Sequence, residues 1–280
     1  MFRFIDNEPA LMLQVDSEKI LVVSDLHIGY ERTWADKGVK IPSLAPRLYE
    51  KLEQIIYKNH PDRVMVSGDI KHGTAKLLPH EWMDVPEFFE KLLTLGIPIE
   101  VVPGNHDGGL RHLLPREVVL HSPRGAVTRS REKVLVTHGH TWPTPAGLSA
   151  SLVVMGHNHF SVEFREASGM RAAEPIWVVA HWNPEKIATE FLRSSGIKYQ
   201  GDSQSAFQER FGFEVGDPTI IVVPAFNPML GGMEINRTSK ERYISPFLQP
   251  GVVDMEQAEI YLLDHTYLGR KKDLQLSEID

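Results

Sequence analysis

The chain has no cysteine among its 280 residues. That excludes disulfides, thiolate metal sites and cysteine nucleophiles, and leaves oxygen and nitrogen as the only strong donors for a metal ion. Long apolar runs are missing as well, since none approaches the ~20 residues needed to span a bilayer. The first ten residues, MFRFIDNEPA, carry acidic groups where a secretory signal would place positive charge and an apolar stretch. A cytoplasmic protein with no membrane partner is therefore expected. Positive charge is not in excess either. A formal net charge of -7 argues against a broad basic surface for nucleic acid, although a local basic groove remains compatible with it. Repeats, heptads and low-complexity tracts are absent.

What is present is a set of five polar clusters, each behind an apolar run. ILVV precedes SDLH, VMV precedes SGD, IEVV precedes GNHD, VLV precedes THGH and LVVM precedes GHNH. Strands buried on both faces read as continuous apolar runs, and open α/β sheets bind ligands at the carboxyl ends of their strands. Five donor-bearing turns at five strand ends imply one site assembled from distant sequence.

The first two-thirds of the chain reads as alternating strands and helices. Strands are expected at 19–24, 63–67, 99–102 and 133–137, with a helix over 46–59 and a second over 85–95 capped by Asp84. Residues 118–120 and 126–128 flank SPRG as a hairpin-like turn. Beyond His159 the sequence becomes strand-rich, at 161–164, 175–180, 219–223 and 259–263, which suggests two sheets rather than one doubly wound sheet. The stretch 183–217 interrupts this pattern with a helix over 185–193 and reads as an insertion or lid within a single domain spanning 1–280.

Asp25, His27, Asp69, Asn105, His138, His157 and His159 are the candidate metal ligands. Alternate residues of D-x-H and H-x-H can point to one side of an extended segment, so each pair can chelate. A carboxylate such as Asp69 can bridge two cations. Two divalent ions bring +4 and the two aspartates -2, with histidines bound as neutral imidazoles. The centre then stays near +2, which suits phosphate oxygens. Two ions ~3.5–4 Å apart can deprotonate a water and stabilise in-line attack on phosphorus. His106 is better cast as an acid beside the ions, with Asp107 orienting its other nitrogen. His140 could contact phosphate, and Arg32, Lys71 and His72 lie beside donors where a substrate phosphate would sit.

The ordered set D-x-H, GD, GNHD, THGH and GHNH resembles that of the calcineurin-like metallophosphoesterase superfamily. SDLHIGYE, GDIKHG and PAFNPMLGGMEIN further resemble an archaeal branch related to DNA-ligase-associated phosphoesterases. The resemblance implies a four-layer α/β/β/α sandwich of two mixed β-sheets. It also implies one ion on Asp25, His27, Asp69 and His159, and another on Asp69, Asn105, His138 and His157. The two divalent ions would be manganese by analogy, with iron, zinc, nickel or cobalt as alternatives. His106 matches the catalytic histidine and Asp107 its partner.

The function so implied is phosphate-ester hydrolysis by a metal-bridging hydroxide, with His106 as acid or transition-state stabiliser. Phosphodiesters, in nucleotides or nucleic acid, are the expected substrates. The alternatives are a phosphomonoesterase acting on a small metabolite and a metal-binding interaction scaffold. A nuclease would use basic residues, and Arg111, Arg116, Arg124, Arg129, Arg131 and Lys133 cluster between the third and fourth motifs. A small-substrate enzyme would have a narrow pocket roofed by Trp142, His181, Trp182 or the stretch 183–217.

Overall fold

The computed structural model describes all residues apart from 75, 129, 131, 167, 238–242 and 277–280. The first sheet comprises β1 (Phe2–Phe4), β2 (Leu11–Val15), β3 (Glu18–Val23), β4 (Arg63–Ser67), β5 (Ile99–Val102) and β6 (Val119–Leu120), adjacent in that order. Its first three strands pair antiparallel and β3 to β6 pair parallel. Parallel neighbours need crossovers, which α1 (Ala45–Asn59) and α2 (Glu81–Leu93) supply between β3 and β5.

The second sheet comprises β7 (Ala126–Val127), β8 (Val134–Thr137), β9 (Leu152–Met155), β10 (Phe160–Arg165), β11 (Arg171–His181), β12 (Thr219–Val222), β13 (Met233–Glu234), β14 (Glu259–Leu262) and β15 (Tyr267–Arg270). Its order is β13-β10-β11-β12-β9-β8-β7, with β14 paired to β11 and β15 to β14. It mixes parallel pairs (β8 with β9, β9 with β12) and antiparallel ones (β10 with β11, β11 with β12). Two further helices, α3 (Pro184–Ser194) and α4 (Ser203–Phe211), complete the set.

Strand periodicity sorts the side chains into three apolar layers. In β3, Leu21 and Val23 face α1 and α2, while Ile20 and Val22 face the other sheet. In β9, Leu152 and Val154 face the first sheet, while Val153 and Met155 face α3 and α4. Successive strand residues point to opposite faces, so a sheet covered on both sides needs the unbroken apolar runs seen in the sequence. The result is the expected four-layer sandwich of two mixed sheets.

Two expectations need correction. SPRG is no hairpin: β6 before it joins the first sheet and β7 after it joins the second, so the turn carries the chain from one sheet to the other. Helix α2 begins at Glu81, before Asp84. Glu81 is wholly buried and accepts the amides of Gly73 and Leu78, which organises the loop ahead of the helix. Asp84 instead accepts the Ser43 hydroxyl. Pro86, which lacks an N–H, leaves a carbonyl free at the exposed Trp82, where water can reach it.

The stretch 183–217 packs as α3 and α4 against the outer face of the second sheet, through Ile187, Phe191, Leu192 and Phe207. Trp142 and Trp182 pack in the same cluster, and the Trp182 indole donates to the Gly216 carbonyl. Trp182, buried in that cluster, is thus no roof over the motif turns. Among the described residues, no helix is long and apolar enough to cross a membrane.

Candidate metal centre

The five motif turns meet at one edge of the sandwich, three from the first sheet and two from the second. Parallel pairing carries on past the ends of β3 and β4: Asp25 N–H donates to the Gly68 carbonyl, His27 N–H to Asp69 and Ile28 N–H to Ile70. The first two turns are thereby zipped together. Their residues adopt unusual backbone geometry, with positive φ at Asp25, His27, Asp69, His157 and His159. Left-handed φ costs a non-glycine residue energy and persists where surrounding structure fixes it, commonly at functional sites. Here it turns donor side chains inward where a regular strand would alternate them.

Two glycines let the turns close. A Cβ on Gly104 would stand 2.1 Å from Asp69 Oδ1, and one on Gly156 would stand 1.8 Å from Ser24 Oγ. Both are contacts no side chain tolerates.

Asp69 lies at the middle. Its Oδ2 is 3.3 Å from both His27 Nε2 and His138 Nε2, and its Oδ1 accepts the His106 amide. Asp25 Oδ1 approaches His159 Nε2 to 3.0 Å, while its Oδ2 accepts the His157 amide. Asn105 Oδ1 is 3.2 Å from His138 Nε2. Two donor groups result: Asp25, His27, Asp69 and His159, and Asp69, His138 and His157, each with its atoms within 4.8 Å of one another. All seven residues singled out in the sequence come together.

Buried donors without partners test whether a cation fits. Asp25 Oδ1, His27 Nε2 and His159 Nε2 are buried and make no hydrogen bond, though all three converge. Unsatisfied buried polar atoms cost free energy unless something occupies the space between them. A divalent cation with oxygen and nitrogen ligands answers that need.

Electrostatics agree with the donor chemistry. Burial, then the charge of His138, holds His157 down at about 3. The same two causes hold His140 at about 4, and burial with the charges of His27 and His106 holds His72 at about 4. Burial acts against a charged His138, but its hydrogen bond to Asp69 and the charges of Asp69 and Asp25 outweigh it and raise His138 to about 9. Burial opposes ionisation of Asp69, but the close approach of His138 and His27 outweighs it and drives the carboxyl far below its usual range.

Asp107 does not orient His106. It is buried and accepts the amides of Gly104, Ile70 and Lys71, so it holds the second and third turns together through their backbones. Burial and the neighbouring Asp69 charge push it up to about 6. The His106 Nδ1–H donates instead to the His72 carbonyl at 2.6 Å, and Nε2 lies 3.9 Å from Asp69 Oδ2. Lys71 cannot reach a substrate from its position. It is wholly buried, with Nζ donating to the Gly73 carbonyl and 3.9 Å from Glu81. His72 and His140 stand beside the donors, and Arg32 is exposed on the helical turn that follows the first motif.

Of the basic stretch, Arg111 and Arg116 are exposed, while two other residues are tied to neighbouring backbone and side chain. Arg124 donates to the carbonyls of Trp142 and Pro143, and Lys133 donates to Ser149. Arg129 and Arg131 lie outside the described residues.

Sequence reading missed Asn227, which is buried and donates to the Leu26 carbonyl beneath the first motif. The PAFN string was the available signal, but it follows no donor cluster.

The family model of calcineurin-like phosphoesterases matches residues 18–223. No curated protein sequence matches the chain. Among solved structures, the chain is similar to Pseudomonas putida nuclease MPE at 16% identity, covering 94% of this chain and 98% of that one with a TM-score of 0.47. It is also similar to Yfce, a phosphoesterase from E. coli, at 14% identity, covering 90% and 97% with a TM-score of 0.36. The matched span takes in all five motif turns and the strands that carry them, and the chain accordingly belongs to the calcineurin-like phosphoesterases, hydrolases that act on phosphate-ester bonds.

Proposed function

We propose that the chain is a dinuclear-metal phosphodiesterase acting on nucleotides or nucleic acid. The observation that carries this reading is the Asp69 carboxylate, common to both donor groups and so able to bridge two cations. Asp25, His27, Asp69 and His159 would hold one ion, and Asp69, Asn105, His138 and His157 the other. Manganese is the proposed metal. Bound there, the pair of ions would activate a water and offset the charge of the phosphate.

The chain's own residues do the rest. Positive φ at the ligand turns fixes the donors before any ion arrives, which reduces reorganisation on binding. His106 keeps its Nδ1 proton on the His72 carbonyl and turns Nε2 towards the centre. With its side chain 21% exposed, it can meet a substrate and, when protonated, give a proton to the leaving alkoxide. Arg32 and His140 are the groups offered to the phosphate oxygens.

The test is hydrolysis of bis(p-nitrophenyl) phosphate and of p-nitrophenyl phosphate by metal-stripped protein, with manganese restored. Diester turnover that depends on added metal is the expected result. Turnover of the monoester alone would replace the reading with a phosphomonoesterase. Inactivity on both, with two ions bound, would favour an interaction scaffold.

A further inference from the structure

His72 touches both the candidate ligand His27 and the candidate acid His106. Its Nδ1 lies 3.1 Å from His27 Nδ1, and its carbonyl accepts the His106 Nδ1–H at 2.6 Å. The Tyr30 ring meets the His72 ring edge-on at 5.0 Å, and the His106 ring stacks on it at 5.5 Å, so the imidazole is held on two sides.

An imidazole can ligate only through a nitrogen without a proton, and the bond made by the other nitrogen decides which one that is. His27 Nε2 is the nitrogen that faces Asp69 and has no hydrogen-bond partner. Its Nδ1 must then carry the proton and needs an acceptor. Within hydrogen-bonding reach, that acceptor is His72 Nδ1. We propose that His72 is a positioning residue whose imidazole accepts the His27 Nδ1 proton and so keeps His27 Nε2 free to bind the ion.

The proposal rests on the reading of a metal centre. It divides the work of one residue between ring and backbone, since the ring sets the His27 tautomer and the carbonyl sets that of His106. Replacing the side chain therefore disturbs the ligand and leaves the acid's bond in place. Three histidines with donor atoms within 4.8 Å could in principle form a further ion site. One nitrogen of each ring is already hydrogen-bonded, which favours the positioning role.

The experiment pairs zinc titration with imidazole 15N–1H correlation spectra of the metal-free protein. It uses wild type, His72→Phe and His72→Asn, with His27→Gln to assign the His27 signals. Wild type should show the Nδ1–H tautomer at His27. His72→Phe, which has no acceptor, should lose that tautomer and bind zinc about 10- to 100-fold more weakly. His72→Asn, with an oxygen where Nδ1 stood, should restore both. An Nε2–H tautomer in wild type would overturn the proposal, as would undiminished zinc affinity in His72→Phe. Equal losses in Phe and Asn variants would mean mere packing and also overturn it. A further zinc equivalent bound by wild type and lost in His72→Phe would place an ion among the three rings instead. A wild type that binds no zinc would defeat the metal-centre reading too, and the spectra, recorded without metal, tell that failure apart.

Discussion

The side-chain amide of Asn227 donates to the carbonyl of Leu26 at 2.9 Å, across 201 residues of sequence. Its Oδ1 accepts the Met229 amide, and the Asn227 and Phe226 amides donate to the carbonyls of Asp25 and Ser24. A late loop thus holds the turn that carries Asp25 and His27. Replacing Asn227 by Ala leaves the Leu26 carbonyl buried without a partner, at a cost of about 1–3 kcal/mol. Denaturant melts should show that loss, with weaker metal binding alongside it. An unchanged midpoint would show that water replaces the amide.

Gly104→Ala should abolish metal-dependent activity. The added Cβ would meet the Asp69 backbone nitrogen at 2.5 Å as well as its carboxylate, and backbone cannot swing aside. Gly231→Ala is the matched control, because nothing lies within 4 Å of its Cβ. Metal titration and diester turnover of the two variants would separate them, and equal behaviour would contradict the packing described for the turn.

His106→Ala should keep metal affinity and reduce kcat by about 10²- to 10⁴-fold, the usual contribution of a positioned acid. The test is calorimetric metal binding beside steady-state kinetics. Full activity would remove His106 from the chemistry.

Metal uptake should release a proton from His138. Without metal its pKa is raised to about 9, so at pH 7–8 it is protonated, whereas a ligand must be neutral. Affinity should therefore rise about tenfold per pH unit up to about pH 9 and then level off. In the metal-free protein the same raised value stabilises the fold below the unfolded pKa of 6.5, and that contribution is lost as pH rises through 9. His157, held at about 3, is already neutral and releases nothing. Calorimetry in two buffers of different ionisation enthalpy counts the protons, and a heat independent of buffer would count against this assignment.

The donor residues were legible because each combines two signals, an apolar strand and a polar turn of distinctive composition. The layered fold followed from the same runs. The roles of Asp107 and Lys71 were not legible, because proximity in sequence cannot say whether a side chain turns towards the centre or into backbone amides. The N-terminal strands β1 and β2 escaped notice since Phe2–Phe4 and Leu11–Val15 end in no donor cluster. Helix α4 was hidden for a related reason: its face is mostly polar, and Phe207 is its one large fully buried side chain. The SPRG turn misled because two short strands on either side of a turn look alike whether they pair with each other or with separate sheets.

The candidate donors are divided between the two halves of the sandwich. Asp25, Asp69 and Asn105 follow strands of one sheet, while His138, His157 and His159 follow strands of the other. Neither sheet holds a complete set by itself, so ion affinity becomes a gauge of how the layers are registered. Core substitutions at Leu13, Val22 or Val154, buried between the sheets, would then surface as a loosened grip on metal well before the protein unfolds.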